Sequence, residues 1–93
     1  MKKKARELRT LRHKIDAVDS SIIILLSKRM GLVGAIGAYK HMHNIAALAP
    51  KRRDELKKMW AARAKKMRLS SRLALAIFNV NHKESIALEK KIQ

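Results

Sequence analysis

Leu8, Leu11, Ile15, Val18, Ile22, Leu25, Arg29, Leu32, Ile36 and Tyr39 follow one another at alternating steps of three and four residues. Such a heptad-like stripe marks a long α-helix with one face packed along its whole length against other helices. Only Arg29 breaks its apolar character. A guanidinium on a buried seam is costly unless an anion meets it. That anion is either a carboxylate on a neighbouring helix or a bound ligand, and the stripe alone does not choose between them.

Ninety-three residues make one small domain, 1–93, and a chain of this size buries little surface by itself. With one Trp, one Tyr and one Phe, the core has to be built from Leu, Ile, Ala and Met, which suits helices. There is no cysteine, so neither a disulfide nor a thiolate metal site reinforces it. Self-association of apolar faces is the remaining route to buried area.

No proline interrupts the chain before Pro50, and the first helix is expected from about Ala5 to about His41. Gly31, Gly34 and Gly37 inside it each cost roughly 1 kcal/mol relative to Ala. Their spacing points to close approach of another backbone or a ligand, or to a gentle kink. Pro50 suits the first turn of a second helix running to about Met67, with Leu56, Met59, Trp60, the Arg63 stem and Met67 on its apolar face. Ser70 and Ser71 are N-cap candidates for a third helix through about Lys91, with Leu73, Ile77, Val80, Leu88 and Ile92 as core. No strand pattern, linker or repeat is present. The chain reads as all-α, one long helix and two shorter ones.

A formal charge of +16 implies anionic partners: nucleic acid, an acidic membrane surface or a small polyanion. The opening Met-Lys-Lys-Lys has no apolar region behind it, and no run is expected to reach the roughly 20 apolar residues of a membrane span. A soluble, cytoplasmic protein without a membrane partner is therefore expected. Arg29 and Lys40 are 11 residues apart, so their heads point to one side of the helix about 16 Å apart along its axis. Arg12 is too far along the same axis to join Arg29 within one chain, whereas an antiparallel partner helix would deliver a second copy of it. In the third helix Asn81, Ser85 and Glu89 form a polar stripe at i, i+4 and i+8. Lys51, Arg52 and Arg53 oppose the dipole at the start of the second helix, with Asp54 and Glu55 as local compensation. His13, His41, His43 and His82 lack ligand spacing and are expected at the surface, so no metal is implied.

Taken in order, Leu11-Arg12-His13-Lys14-Ile15-Asp16, Ile23-Ile24-Leu25-Leu26-Ser27-Lys28-Arg29, Ile36-Gly37-Ala38-Tyr39-Lys40, Pro50-Lys51-Arg52, Ile77-Phe78 and Ser85-Ile86-Ala87-Leu88-Glu89 resemble the all-helical class of chorismate mutases. The resemblance implies an intertwined helical homodimer in which each of two sites borrows an arginine from the other subunit. It assigns the partner's copy of Arg12 together with Arg29 to the two carboxylates of chorismate. It also implies Lys40 as donor to the ether oxygen, Arg52 near a carboxylate or the ring hydroxyl, and Ser85 as a positioning group. Glu89 stands where many members carry Gln, and would donate a second hydrogen bond to the ether oxygen. A carboxylate has no proton to donate, so that role requires the protonated form.

The implied reaction turns chorismate into prephenate, on the way to aromatic amino acids, without cofactor, nucleophile or proton transfer. Its demands are a dianion held in its compact conformer and donors for negative charge growing on the ether oxygen. Two positions depart from the family pattern. Ala49 and Arg53 replace an Asp and a Glu associated with the ring hydroxyl. A register shifted by one would pair Arg53 with Asp54, but the Pro-x-Arg spacing and Leu56 four residues on favour Arg52. Isochorismate–pyruvate lyases of the same fold also lack those acids, which makes a salicylate-forming lyase the nearest alternative. A basic helical nucleic-acid binder is the alternative of another class. Against it, the cations singled out lie on or beside the apolar seam and are not gathered on one outer face.

Overall fold

The computed structural model describes residues 2–93 and has three helices, with no strand among the described residues. They are α1 (Lys2–Met42), α2 (Pro50–Lys66) and α3 (Ser71–Ile92). The all-α reading holds, and the helix limits fall within a few residues of those expected. The chain divides into two units, Met1–Leu32 and Val33–Gln93.

The first unit is helical, and from residue 2 to residue 32 no side chain in it is buried. The apolar members of the seam, from Leu8 to Tyr39, are between 48 and 67 % exposed. An amphipathic helix left open in this way gains little from its own chain, because tertiary packing supplies most helical stability. The expectation that no segment reaches span length is corrected here. By length and composition alone, α1 contains an 18-residue stretch long and apolar enough to cross a membrane. The reason is that apolar residues such as Ile23, Ile24 and Leu26 lie beside the seam as well as on it, which widens the apolar surface.

In the second unit, α2 packs on α3 and the last turns of α1 close over the end of α3. Its small core consists of Val33, Ala47, Ala64, Ala74 and Phe78. Trp60 of α2 meets Phe78 with ring centroids 6.0 Å apart. Of the three glycines, only Gly37 faces a close neighbour, since a Cβ there would come within 3.0 Å of Ile92 Cδ1 and 3.4 Å of Glu89 Cα. Gly31 and Gly34 have nothing within 4 Å of that position.

Two expectations about the core are corrected. In α3 the buried face is Ala74, Phe78, Ser85 and Glu89, whereas Leu73, Ile77 and Val80 are exposed. Apolar residues surround much of this helix, so periodicity alone selects no single face, and the residues that meet α2 lie one position on from those expected. In α2, Ala64 is buried and Met67 is 78 % exposed, because the helix ends at Lys66 and Met67 is its C-cap. His82 is also not a surface group. It is half-buried, with its ring stacked at 18° on Phe78.

Both helix exits use the left-handed region. After α1, Asn44 has φ 55°, Ile45 N–H donates to Lys40 C=O and Asn44 N–H to His41 C=O. After α2, Arg68 has φ 56°, with the same pairing of Leu69 to Ala64 and Arg68 to Lys65. These are Schellman closures, which normally place Gly or Asn at the left-handed residue. Pro50 occupies the first turn of α2, and the Ser70 hydroxyl accepts from Leu73 N–H at 3.4 Å to cap α3. Arg68 carries the steric cost of a Cβ in that conformation, so Arg68→Gly should stabilise the protein by about 1 kcal/mol in urea unfolding. An unchanged or lowered midpoint would show that the arginine side chain contributes more than its backbone conformation costs.

Candidate active site

Lys40 lies in the last turn of α1, where its ammonium is drawn inward by two acceptors from different parts of the second unit. Nζ is 2.7 Å from Glu89 Oε1 and donates to the Ala47 carbonyl at 2.9 Å. Their side chains are only 17 % and 7 % exposed, so this ion pair is largely withdrawn from water. Gly37, one turn before Lys40, lets the backbone of α1 approach Glu89 closely enough for the two groups to meet. Ala47 is itself buried in the α1–α2 connection, and the Ile45 carbonyl two residues before it accepts from Gln93 Nε2 at 2.8 Å.

The pair is close but not aligned as a hydrogen bond, and Glu89 Oε1 has no hydrogen-bond partner among the described residues. Asn81 Nδ2 is likewise buried and unpartnered. Between them on α3 lies Ser85, buried, whose hydroxyl donates to the Asn81 carbonyl at 2.6 Å. The stripe of Asn81, Ser85 and Glu89 is therefore not a solvated face. It places an acceptor and a donor in a buried setting with valences unused, as a site awaiting a polar ligand does. Lys40 retains N–H capacity as well, because an ammonium has three donors.

The other residues singled out in the sequence are disposed differently. Arg12 is exposed and Arg29 half-buried, both in the first unit. Arg52 is an exposed residue in the first turn of α2. Its side chain is 60 % exposed, and Nη1 lies 3.6 Å from Glu55 Oε2 on the same helix. An exposed pair of that kind contributes little to stability and leaves the guanidinium available. Its neighbour Arg53 lines a groove against α3, together with His82 and Ile86. Sequence reasoning gave Asn81 and His82 no place in a site, and weighed Arg53 only as the site arginine of a shifted register. The i, i+4, i+8 spacing was the one signal for Asn81. Among the described residues no cluster of His, Cys, Asp or Glu could hold a metal ion.

With this geometry in view, the chain matches the family model for chorismate mutase type II over residues 11–90. It belongs to that family. It is also 32 % identical, over 84 residues, to the T-protein of Haemophilus influenzae, an alignment that takes in 90 % of this chain. The chain spans 22 % of that protein's length. Whatever their part in the chemistry, the burial of Lys40 and Glu89 makes the pair structural. Lys40→Met, which leaves the Glu89 carboxylate buried without its cation, should lower stability by about 3 kcal/mol. Lys40→Met combined with Glu89→Leu should recover most of that loss. Urea unfolding at one fixed protein concentration makes the comparison, and equal stability of the single variant and wild type would mean that the pair is solvated.

Proposed function

We propose that this protein is a chorismate mutase, converting chorismate to prephenate in aromatic amino-acid biosynthesis. The observation that carries the reading is the buried Lys40–Glu89 pair with unused hydrogen-bonding capacity, in a chain of the chorismate mutase type II family. In the proposed site Lys40 donates to the ether oxygen as its bond to the ring lengthens. Fixed donors aimed at growing charge are worth more in a water-poor setting than in solution. Glu89 donates to the same oxygen in its protonated form, and Ser85 orients the ring system. Arg29 and Arg12 hold the carboxylates as planar forks, so that the flexible dianion is kept in the compact conformer from which it reacts. Arg52 adds a further cation at the start of α2.

Arg12 enters from a second copy of the chain. Supporting this are the open seam of α1, with no buried residue from 2 to 32, and the exposed Leu73, Ile77 and Val80 of α3. A cytoplasmic homodimer that forms one domain from two copies would cover both surfaces and complete two sites. In this reading Arg12→Ala and Arg29→Ala homodimers each lose activity by about 10²–10³-fold. Refolding the two variants together should restore about a quarter of wild-type activity, because half the dimers are mixed and each mixed dimer has one intact site. No recovery on mixing would show that each chain uses its own Arg12.

The reaction itself is tested by incubating the protein with chorismate and with isochorismate, following prephenate and salicylate separately. Prephenate from chorismate is the expected result. Salicylate formation from isochorismate without mutase turnover would assign the chain to the lyases, to which Ala49 and Arg53 give some support. The Glu89 role predicts that Glu89→Gln, whose amide carries a donor without needing protonation, keeps or raises turnover. A Glu89→Gln variant that loses turnover would remove Glu89 from the donor role.

A further inference from the structure

The α1–α2 connection brings a carbonyl to Lys40, and a side chain with no part in the proposed chemistry ties that connection to the end of α3. Lys40 Nζ donates to the carbonyl of Ala47, a residue only 3 % exposed. Two residues earlier, the Ile45 carbonyl accepts from Gln93 Nε2 at 2.8 Å, and the Ile45 N–H donates to the Lys40 carbonyl at 2.8 Å. Gln93 is the C-cap of α3, and its own N–H donates to the carbonyl of Glu89, whose carboxylate meets Lys40. These contacts close a circuit from Lys40 through the connection to Gln93 and Glu89 and back to Lys40. Gln93 therefore joins the two supports of the ammonium, the one on the connection and the one on α3.

We propose that Gln93 is a positioning residue for Lys40: its hydrogen bond to Ile45 fixes the connection, so that the Ala47 carbonyl keeps the ammonium aimed at the reacting oxygen. An ammonium has three N–H bonds at fixed angles, so a carbonyl on one side and a carboxylate on the other set the direction left for a ligand. The inference rests on the mutase reading for the identity of that oxygen, and on the geometry alone for the hold on Lys40. A donor that loses its aim weakens the transition state more than the bound substrate, because charge on the ether oxygen grows only as its bond breaks. Gln93 is exposed, and a hydrogen bond open to water adds little to stability. Its effect on Lys40 is thus separable from an effect on folding.

Gln93→Met keeps the length of the side chain and removes the donor, whereas Gln93→Arg restores an N–H at the same number of bonds from Cα. With chorismate as substrate, Gln93→Met should lower kcat about tenfold while KM stays within about twofold and the urea midpoint is unchanged. Gln93→Arg should recover most of the loss. The hold on Lys40 is also read without turnover, from the ammonium signal of Lys40 in proton–nitrogen NMR spectra at low temperature, assigned through its side-chain connectivity. That signal should exchange slowly with water in wild type and in Gln93→Arg, and quickly in Gln93→Met. Wild-type protein inactive on chorismate would sink the mutase reading and leave this signal to decide the role of Gln93. A Lys40 signal equally protected in wild type and both variants, an unchanged kcat in Gln93→Met, or a loss that Gln93→Arg does not restore would overturn the proposal.

Discussion

The constraint on which this molecule turns is an apolar helix face that its own chain does not cover. Nothing from residue 2 to residue 32 is buried, yet Leu8, Leu11, Ile15, Val18, Ile22 and Leu25 recur there at helical spacing. Covering such a stripe is worth on the order of 10 kcal/mol, as much as the whole folding free energy of a small domain. The small core of the second unit, with Phe78 its largest side chain, cannot offset the ordering of a 41-residue helix by itself. In the proposed dimer, one act of burial stabilises the helix and also brings a foreign arginine to the substrate. Folding and catalysis would then share a single requirement, so dilution should remove both together.

The second dependence is on burial of charge. A lysine and a glutamate are both nearly removed from water, and each makes the other tolerable. Their geometry leaves Oε1 without a true hydrogen bond and the ammonium with capacity to spare. An arrangement fully satisfied internally would be more stable and would have nothing to offer a ligand. The same holds for the Asn81 amide one stripe position away. Incomplete satisfaction in a buried place is the physical form that a polar binding site takes before it is filled.

Much of this was legible in the sequence because the signals were local. Pro50 and Ser70 punctuate the chain by backbone chemistry that needs no partner, and they end up in the first turn of α2 and at the cap of α3. The polar stripe of α3 was visible as spacing, and it lies at the buried face. What could not be read was which apolar face of α3 its own chain would use. Leu73, Ile77 and Val80 are as apolar as Ala74 and Phe78, and only the approach of α2, led by Trp60 onto Phe78, decides between them. His82 was misplaced for a related reason, since stacking on Phe78 depends on the depth of the neighbouring ring and not on a motif. The adjacent arginines of α2 are separated by 100° of helical turn. That turn sends Arg52 to Glu55 and Arg53 to the groove, although the sequence supplied both.

The excess of positive charge takes on a sharper meaning once its placement is known. Twenty-three Lys and Arg face seven Asp and Glu, and Glu89 is turned inward to Lys40. The outer surface therefore carries an almost unopposed positive field, which raises the local concentration of small anions and weakens as salt screens it. A field alone gives no selectivity, because it attracts every anion. Selectivity has to come from places where cations are fixed beside something other than water. Among the described residues the buried pair at Lys40 is such a place, combining charge with exclusion of water. Long-range attraction and short-range discrimination are thus carried by different residues, and mutation can alter one without the other.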